Sequence, residues 1–163
     1  MTAPDTVSRR TVLGGMAGVP LLAGAVLAGT GTPALAAASL DLAKYRGKVV
    51  YVDFWASWCG PCKLSFPFMQ QLAARYPASD LAVITVNVDR QRAAADTFMR
   101  QMRSTLPVIY DGAGDLAQTW KVADMPTSLV FDRKGAMRFR HQGFFPGKVR
   151  EYEGHIAQLV REG

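Results

Sequence analysis

Apolar residues along this chain follow two rhythms. Lys48 to Trp55 is nearly all apolar, β-branched or aromatic, the composition of a strand covered on both faces. After Cys59 the spacing turns helical. Leu64, Phe68 and Leu72 recur every four residues, with Met69, Ala73 and Tyr76 alongside. Pro67 inside that run predicts a kink. Leu81 to Val88 is a second continuous apolar strand, and Ala94, Phe98 and Met102 mark a second helix. Leu106 to Tyr110 reads as a short strand stopped by Asp111-Gly112, and Ala113 to Lys121 as a further short helix. Ser128 to Phe131, the turn Asp132-Arg133-Lys134-Gly135 and Met137 to His141 predict a hairpin. Val149, Tyr152, Ile156, Leu159 and Val160 give a terminal helix one apolar face. Strands alternating with helices, then a hairpin and a last helix, describe an α/β layer fold. Its sheet begins parallel and ends antiparallel.

The 163 residues suffice for one domain with its own core, but the first forty do not share its pattern. No residue from Thr11 to Leu40 is charged. Ser8-Arg9-Arg10 stands before this run, and Ala34-Leu35-Ala36 forms a small-x-small pattern near its end. A basic pair, an apolar middle and a small-residue exit read as an export signal. Adjacent arginines followed by Val12 and Leu13 read as its twin-arginine type. Glycines and Pro20 weaken the middle as a stable spanning helix, although its length permits a span. The expectation is a signal over residues 1–36, cleaved after Ala36, and one domain over residues 37–163. That domain is expected in the periplasm or on the outer face of the cytoplasmic membrane. An uncleaved signal would keep it membrane-associated.

The net charge of +6 falls to about +5 when Arg9, Arg10 and Asp5 leave with the signal. The basic residues are scattered, with no aromatic interleaving, so nucleic acid is not an expected partner. A monomer is expected.

Cys59 and Cys62 are the only cysteines, spaced Cys-x-x-Cys between the first strand and a helix start. Such a site makes and breaks disulfides. A bridge across two residues closes too small a loop to constrain the unfolded chain much, so the spacing favours a reactive pair over a structural staple. The segment Val52-Asp53-Phe54-Trp55-Ala56-Ser57-Trp58-Cys59-Gly60-Pro61-Cys62-Lys63 resembles the active-site segment of thioredoxins almost residue for residue. Met125-Pro126-Thr127, 63 residues after Cys62, resembles that family's cis-proline loop. The resemblance covers Leu40 to the C-terminus. It implies a thioredoxin-like fold, with a mixed central sheet flanked by helices. The longer helix and strand between Asp89 and Gly112 resemble the insertion of exported TlpA/ResA-like thiol–disulfide oxidoreductases. Implied with it are protein disulfide or thiol substrates, an upstream thiol reductant, and neither cofactor nor metal. The Gly60-Pro61 dipeptide leans toward reduction.

A sulfur at a helix N-terminus meets unpaired N–H groups, which favour its thiolate. Cys59 is therefore the expected attacking sulfur, and Cys62, one turn later, the resolving one. Pro61 is tolerated in a first helical turn because its missing N–H costs little there. Asp53 matches the family's buried acid. Desolvation raises such a carboxyl's pKa, and it is expected to take the Cys62 proton as general base. Thr85 stands where thioredoxins carry a lysine near this acid. The resemblance also implies a cis Pro126, with Trp58, Gly60, Pro61, Met125 and Gly143 shaping a shallow groove for an extended partner segment. His141 and His155 are expected at the surface, apart from the cysteines, which leaves no Cys2His2 zinc site. A second class of function uses the same cysteines as soft ligands, in a copper-handling or chaperone module. A peroxidase would need a cysteine outside the pair, and there is none.

Overall fold

A strand apolar on both faces needs cover on both, and this requirement organises the molecule. The computed structural model describes residues 40–162. The expected signal over residues 1–36 lies outside the described residues.

Strand β1 (Val49–Trp55) is buried at every position. It is central in a five-stranded sheet of order β3-β2-β1-β4-β5. On one side it pairs in parallel with β2 (Leu81–Asn87), from Val49↔Leu81 to Trp55↔Asn87. On the other it pairs antiparallel with β4 (Thr127–Phe131), where Phe54 faces Thr127. The short β3 (Val108–Tyr110) adds in parallel to β2, and β5 (Met137–Gln142) adds antiparallel to β4. The sheet is therefore mixed, and the fold is thioredoxin-like.

Alternation along β1 divides the core. Val50, Val52 and Phe54 join Ile84, Val86, Leu116 and Leu129 on one face. Tyr51 and Trp55 join Phe66, Met69, Phe98, Tyr152 and Ile156 on the other. That second face carries α1 (Cys62–Arg75), α2 (Arg92–Gln101) and α4 (Val149–Arg161). The one-turn α3 (Asp115–Thr119) covers the first. The segment between Asp89 and Gly112 thus contributes α2 and the edge strand β3.

Two expectations need correction. On α1 the buried face is Cys62, Ser65, Phe66, Phe68, Met69 and Leu72, whereas Leu64 is 54% exposed and Ala73 is exposed. The helix starts with Cys62 turned inward, which sets the inward stripe at steps of three and four from that residue and leaves Leu64 off it. Pro67 sits on the exposed side, and the helix runs unbroken through it. The second correction concerns the histidines. His141 is buried on β5, and its Nε2 lies 3.0 Å from Nδ1 of the half-buried His155 on α4. His155 stacks on Phe139 at 3.9 Å, and the His141 ring lies tilted against Tyr152 at 4.6 Å. The edge strand packs its His141 face against α4, and that cover is invisible in a strand reading Met-Arg-Phe-Arg-His-Gln. Burial, then the neighbouring His155, pushes the His141 pKa down from 6.5 to about 4.

Candidate active site

The chain leaves β1 at Trp55, turns through Ala56 to Pro61 and enters α1 at Cys62. The turn closes by Cys59 N–H donating to the Ala56 carbonyl at 3.1 Å. Cys59 and Cys62 are joined in a disulfide with an S–S distance of 2.07 Å. Cys62 N–H points at Cys59 Sγ, 3.2 Å away. Cys59 thus precedes the helix, but its sulfur receives one of the N–H groups that a helix start leaves without an intrahelical partner. An N–H donor and a helix start at a sulfur are the features that favour the thiolate of a reduced cysteine. Cys59 is 5% exposed and Cys62 fully buried. Gly60 and Pro61 lie outside them, with Pro61 at the N-cap, and Trp58 is 73% exposed.

Asp53 is fully buried on the β1 face that also carries Tyr51 and Trp55. Its register partner on β4 is Ser128, whose hydroxyl donates to Asp53 Oδ1 at 2.6 Å. Tyr51 donates in turn to Ser128 Oγ at 2.6 Å. Oδ2 of Asp53 has no partner among the described residues. Burial raises the Asp53 pKa from 3.8 to about 7, against the opposing hydroxyls of Ser128 and Ser65. The Ser65 hydroxyl is committed to the Cys62 carbonyl at 3.1 Å, so Ser128 is the donor whose bond is formed. On the β2 side Asp53 faces Thr85, which donates to the Pro107 carbonyl at 2.9 Å and brings no charge. The Tyr51 pKa is also raised, by burial first and by Asp53 second.

The Met125–Pro126 peptide is cis. Thr127 opens β4 opposite Phe54, so the Pro126 loop and the Cys59 turn leave the sheet at the same end. Met125 is half-buried against the cluster that contains both cysteines. The Pro126 carbonyl accepts from Gly143 N–H at 2.8 Å. Gly143 has φ +74, and a Cβ there would come within 3.0 Å of the Phe145 ring. Both the backbone conformation and the close ring favour glycine at this position. Phe145 itself is 55% exposed.

A polar cluster at the end of β2 went unread in the sequence. Asp89 is buried. Its Oδ2 accepts from Ser57 N–H at 2.9 Å and from Asn87 Nδ2 at 2.7 Å, and its Oδ1 accepts from Ser57 Oγ at 2.9 Å. Asp89 N–H donates back to Asn87 Oδ1 at 3.1 Å. The same corner borders a cleft of about 450 Å³ between Trp58 and α2. One signal was available: in open α/β sheets, ligands gather beyond the carboxyl ends of the strands, where both Ser57 and Asp89 lie.

A family model described as Redoxin matches residues 18–156. The chain belongs to the Redoxin family. Curated relatives share the similarity. A thiol-disulfide oxidoreductase ResA of Oceanobacillus iheyensis is 32% identical over 122 residues, 75% of this chain and 62% of the relative. Another ResA, of Bacillus thuringiensis, is 31% identical over 96 residues, 59% of this chain and 56% of the relative. The chain thus spans little more than half the length of these relatives. Among solved structures, a Chlorobium tepidum protein described as a thiol:disulfide interchange protein DsbE is 39% identical, with a TM-score of 0.70. That likeness covers 73% of this Redoxin chain and 84% of the other.

Proposed function

We propose that this protein exchanges disulfides with other proteins through Cys59 and Cys62, and that its working direction is reduction. The observation that carries the reading is the Cys59–Cys62 bridge, with Cys59 Sγ facing the Cys62 N–H at the start of α1. The names of its relatives support it. In the reduced protein the Cys59 thiolate attacks one sulfur of a partner disulfide. A Cys59–partner bond forms, and the partner's other sulfur leaves as thiolate. Cys62 gives up its proton and attacks Cys59 Sγ. The intramolecular disulfide forms, and the second partner sulfur leaves. Asp53, poised near neutral pH, receives the Cys62 proton through a bridging water. An upstream thiol reductant restores the dithiol. Pro126, Met125, Gly143 and the exposed Trp58 rim the surface that receives the partner segment. The protein acts as a monomer outside the cytoplasmic membrane, delivered there by the signal read at Arg9-Arg10.

The test is a pair of variants. Cys59→Ser is expected to abolish reduction of a disulfide substrate such as insulin. Cys62→Ser is expected to accumulate mixed disulfides through Cys59. In the reduced wild type, alkylation near pH 7 should label Cys59 much faster than Cys62. Faster labelling of Cys62 would reverse the assignment of the two sulfurs.

A further inference from the structure

We propose that Asp89 is a positioning residue for the redox pair, holding the Ser57–Cys59 turn so that Cys59 Sγ stays on the Cys62 N–H. This inference rests on the dithiol reading of Cys59 and Cys62.

Between the end of β1 and Cys59 the chain makes few bonds of its own. Cys59 N–H reaches back to Ala56, and Trp58 points into solvent. Ser57 is the residue in this turn that is tied from outside, and Asp89 ties it twice, at its backbone N–H and at its hydroxyl. The grip spans 32 residues of sequence. Asp89 is itself held from two directions. Asn87 donates to its Oδ2 and accepts from its N–H. One residue earlier, Val88 N–H donates to the Trp55 carbonyl at 3.0 Å, extending the β1–β2 pairing up to the corner. Every contact to the carboxylate is a donated one, and no cation pairs with it among the described residues. A carboxylate accepting several bonds in a buried site holds its partners firmly, and losing it leaves their donors unpaired. Ser57 is two residues from Cys59, so slack at Ser57 passes directly to the attacking sulfur. The 3.2 Å approach of Cys62 N–H to Cys59 Sγ is the contact at stake.

Position and charge make opposite demands, which allows the proposal to be tested. As a nearby negative charge alone, Asp89 would disfavour the Cys59 thiolate, and removing it would make Cys59 more reactive. As a clamp, its removal lets the sulfur drift from its donor and makes Cys59 less reactive. Asp89→Asn keeps the shape but sets an amide donor against Ser57 or Asn87 donors. Ser57→Ala removes one of the two ties and leaves the acid in place.

The experiment measures the pH profile of Cys59 alkylation and the glutathione equilibrium of the pair, for wild type, Asp89→Asn, Ser57→Ala and the double variant. Thermal melts of the oxidised proteins run alongside. Asp89→Asn is expected to move the alkylation midpoint upward and slow labelling near pH 7 by about threefold or more, the effect of one lost buried bond. Ser57→Ala is expected to shift it in the same direction by less. The double variant should fall short of the sum, because both changes cut one connection. Lowered melting temperatures with unchanged profile and equilibrium would reduce Asp89 to a structural staple and overturn the proposal. Faster labelling in Asp89→Asn would overturn it in favour of a charge effect. If Asp89→Asn does not fold, Ser57→Ala alone decides, and a wild-type profile for it overturns the proposal. A wild type whose Cys59 neither labels as a thiolate nor equilibrates with glutathione would instead defeat the dithiol reading, and the inference with it.

Discussion

Asp53 and His141 titrate in opposite senses over the same stretch of pH. Burial lifts the Asp53 pKa from 3.8 to about 7. Between those values the folded chain keeps a proton that the unfolded chain has released, so this acid makes stability fall as pH rises. His141 is held down from 6.5 to about 4. In that window the unfolded chain binds the extra proton, so this base makes stability rise with pH. The oxidised wild type is therefore expected to show a shallow profile from about pH 4 to 7, as the two slopes oppose. Asp53→Asn should expose the rising slope. Near pH 8 it should gain about 1–2 kcal/mol, the relief of a buried charge less an unmet amide N–H. His141→Gln should leave a falling slope. Denaturant melts across that range check both, and coincident profiles for wild type and Asp53→Asn would remove the buried acid from the account. Asp53 was legible because a carboxylate stands out in an apolar strand. Asp89 and Asn87 were not, because polar residues at a strand end read equally well as turn formers. His141 misled for the converse reason, its cover coming from a helix that follows β5 in sequence.

At the scale of elements, α1 tests how far periodicity can be trusted. Its existence, and the strands on either side, followed from the switch between apolar runs and helical spacing. Its inward face did not. Leu64 lies four residues before Phe68, a correct helical interval, yet it looks outward. The deciding residue is Phe66, which closes on Trp55 at 5.0 Å and on Phe98 at 5.0 Å. Phe98 comes from α2 and could not be placed beside α1 by any local pattern. Phe66→Ala is expected to cost about 3–5 kcal/mol and Leu64→Ala less than about 0.5 kcal/mol in urea melts of the oxidised protein. Similar losses from the two would mean that Leu64 is covered in solution. Ser65 sits in the same buried stripe as Phe66, and its hydroxyl is satisfied within the helix by the Cys62 carbonyl. A polar letter in the sequence was thus compatible with a buried position.

For the whole molecule, the sheet and the expected signal make joint demands. Among the described residues no helix is long and apolar enough to cross a membrane. The proposed route outward rests on the Arg9-Arg10 pair of the sequence. Replacing both with lysine is expected to leave the precursor inside the cell, as fractionation and immunoblotting would report. Normal export of that variant would point to the general secretory route or to an uncleaved anchor. The twin-arginine route carries folded cargo, and here the central position of β1 has a consequence for timing. One neighbour of β1 is β2, soon after it in the chain, but the other is β4, which joins Ser128 to Tyr51 across 77 residues. During synthesis Arg9 and Arg10 emerge well before residues 127–131. For most of that interval β1 has one open edge, and Asp53 has no Ser128 to donate to it. The nascent chain would thus carry the proposed address long before the sheet around β1 is finished. Any product broken off ahead of Thr127 would hold the proposed signal and both cysteines on a sheet in which β1 lacks its second neighbour.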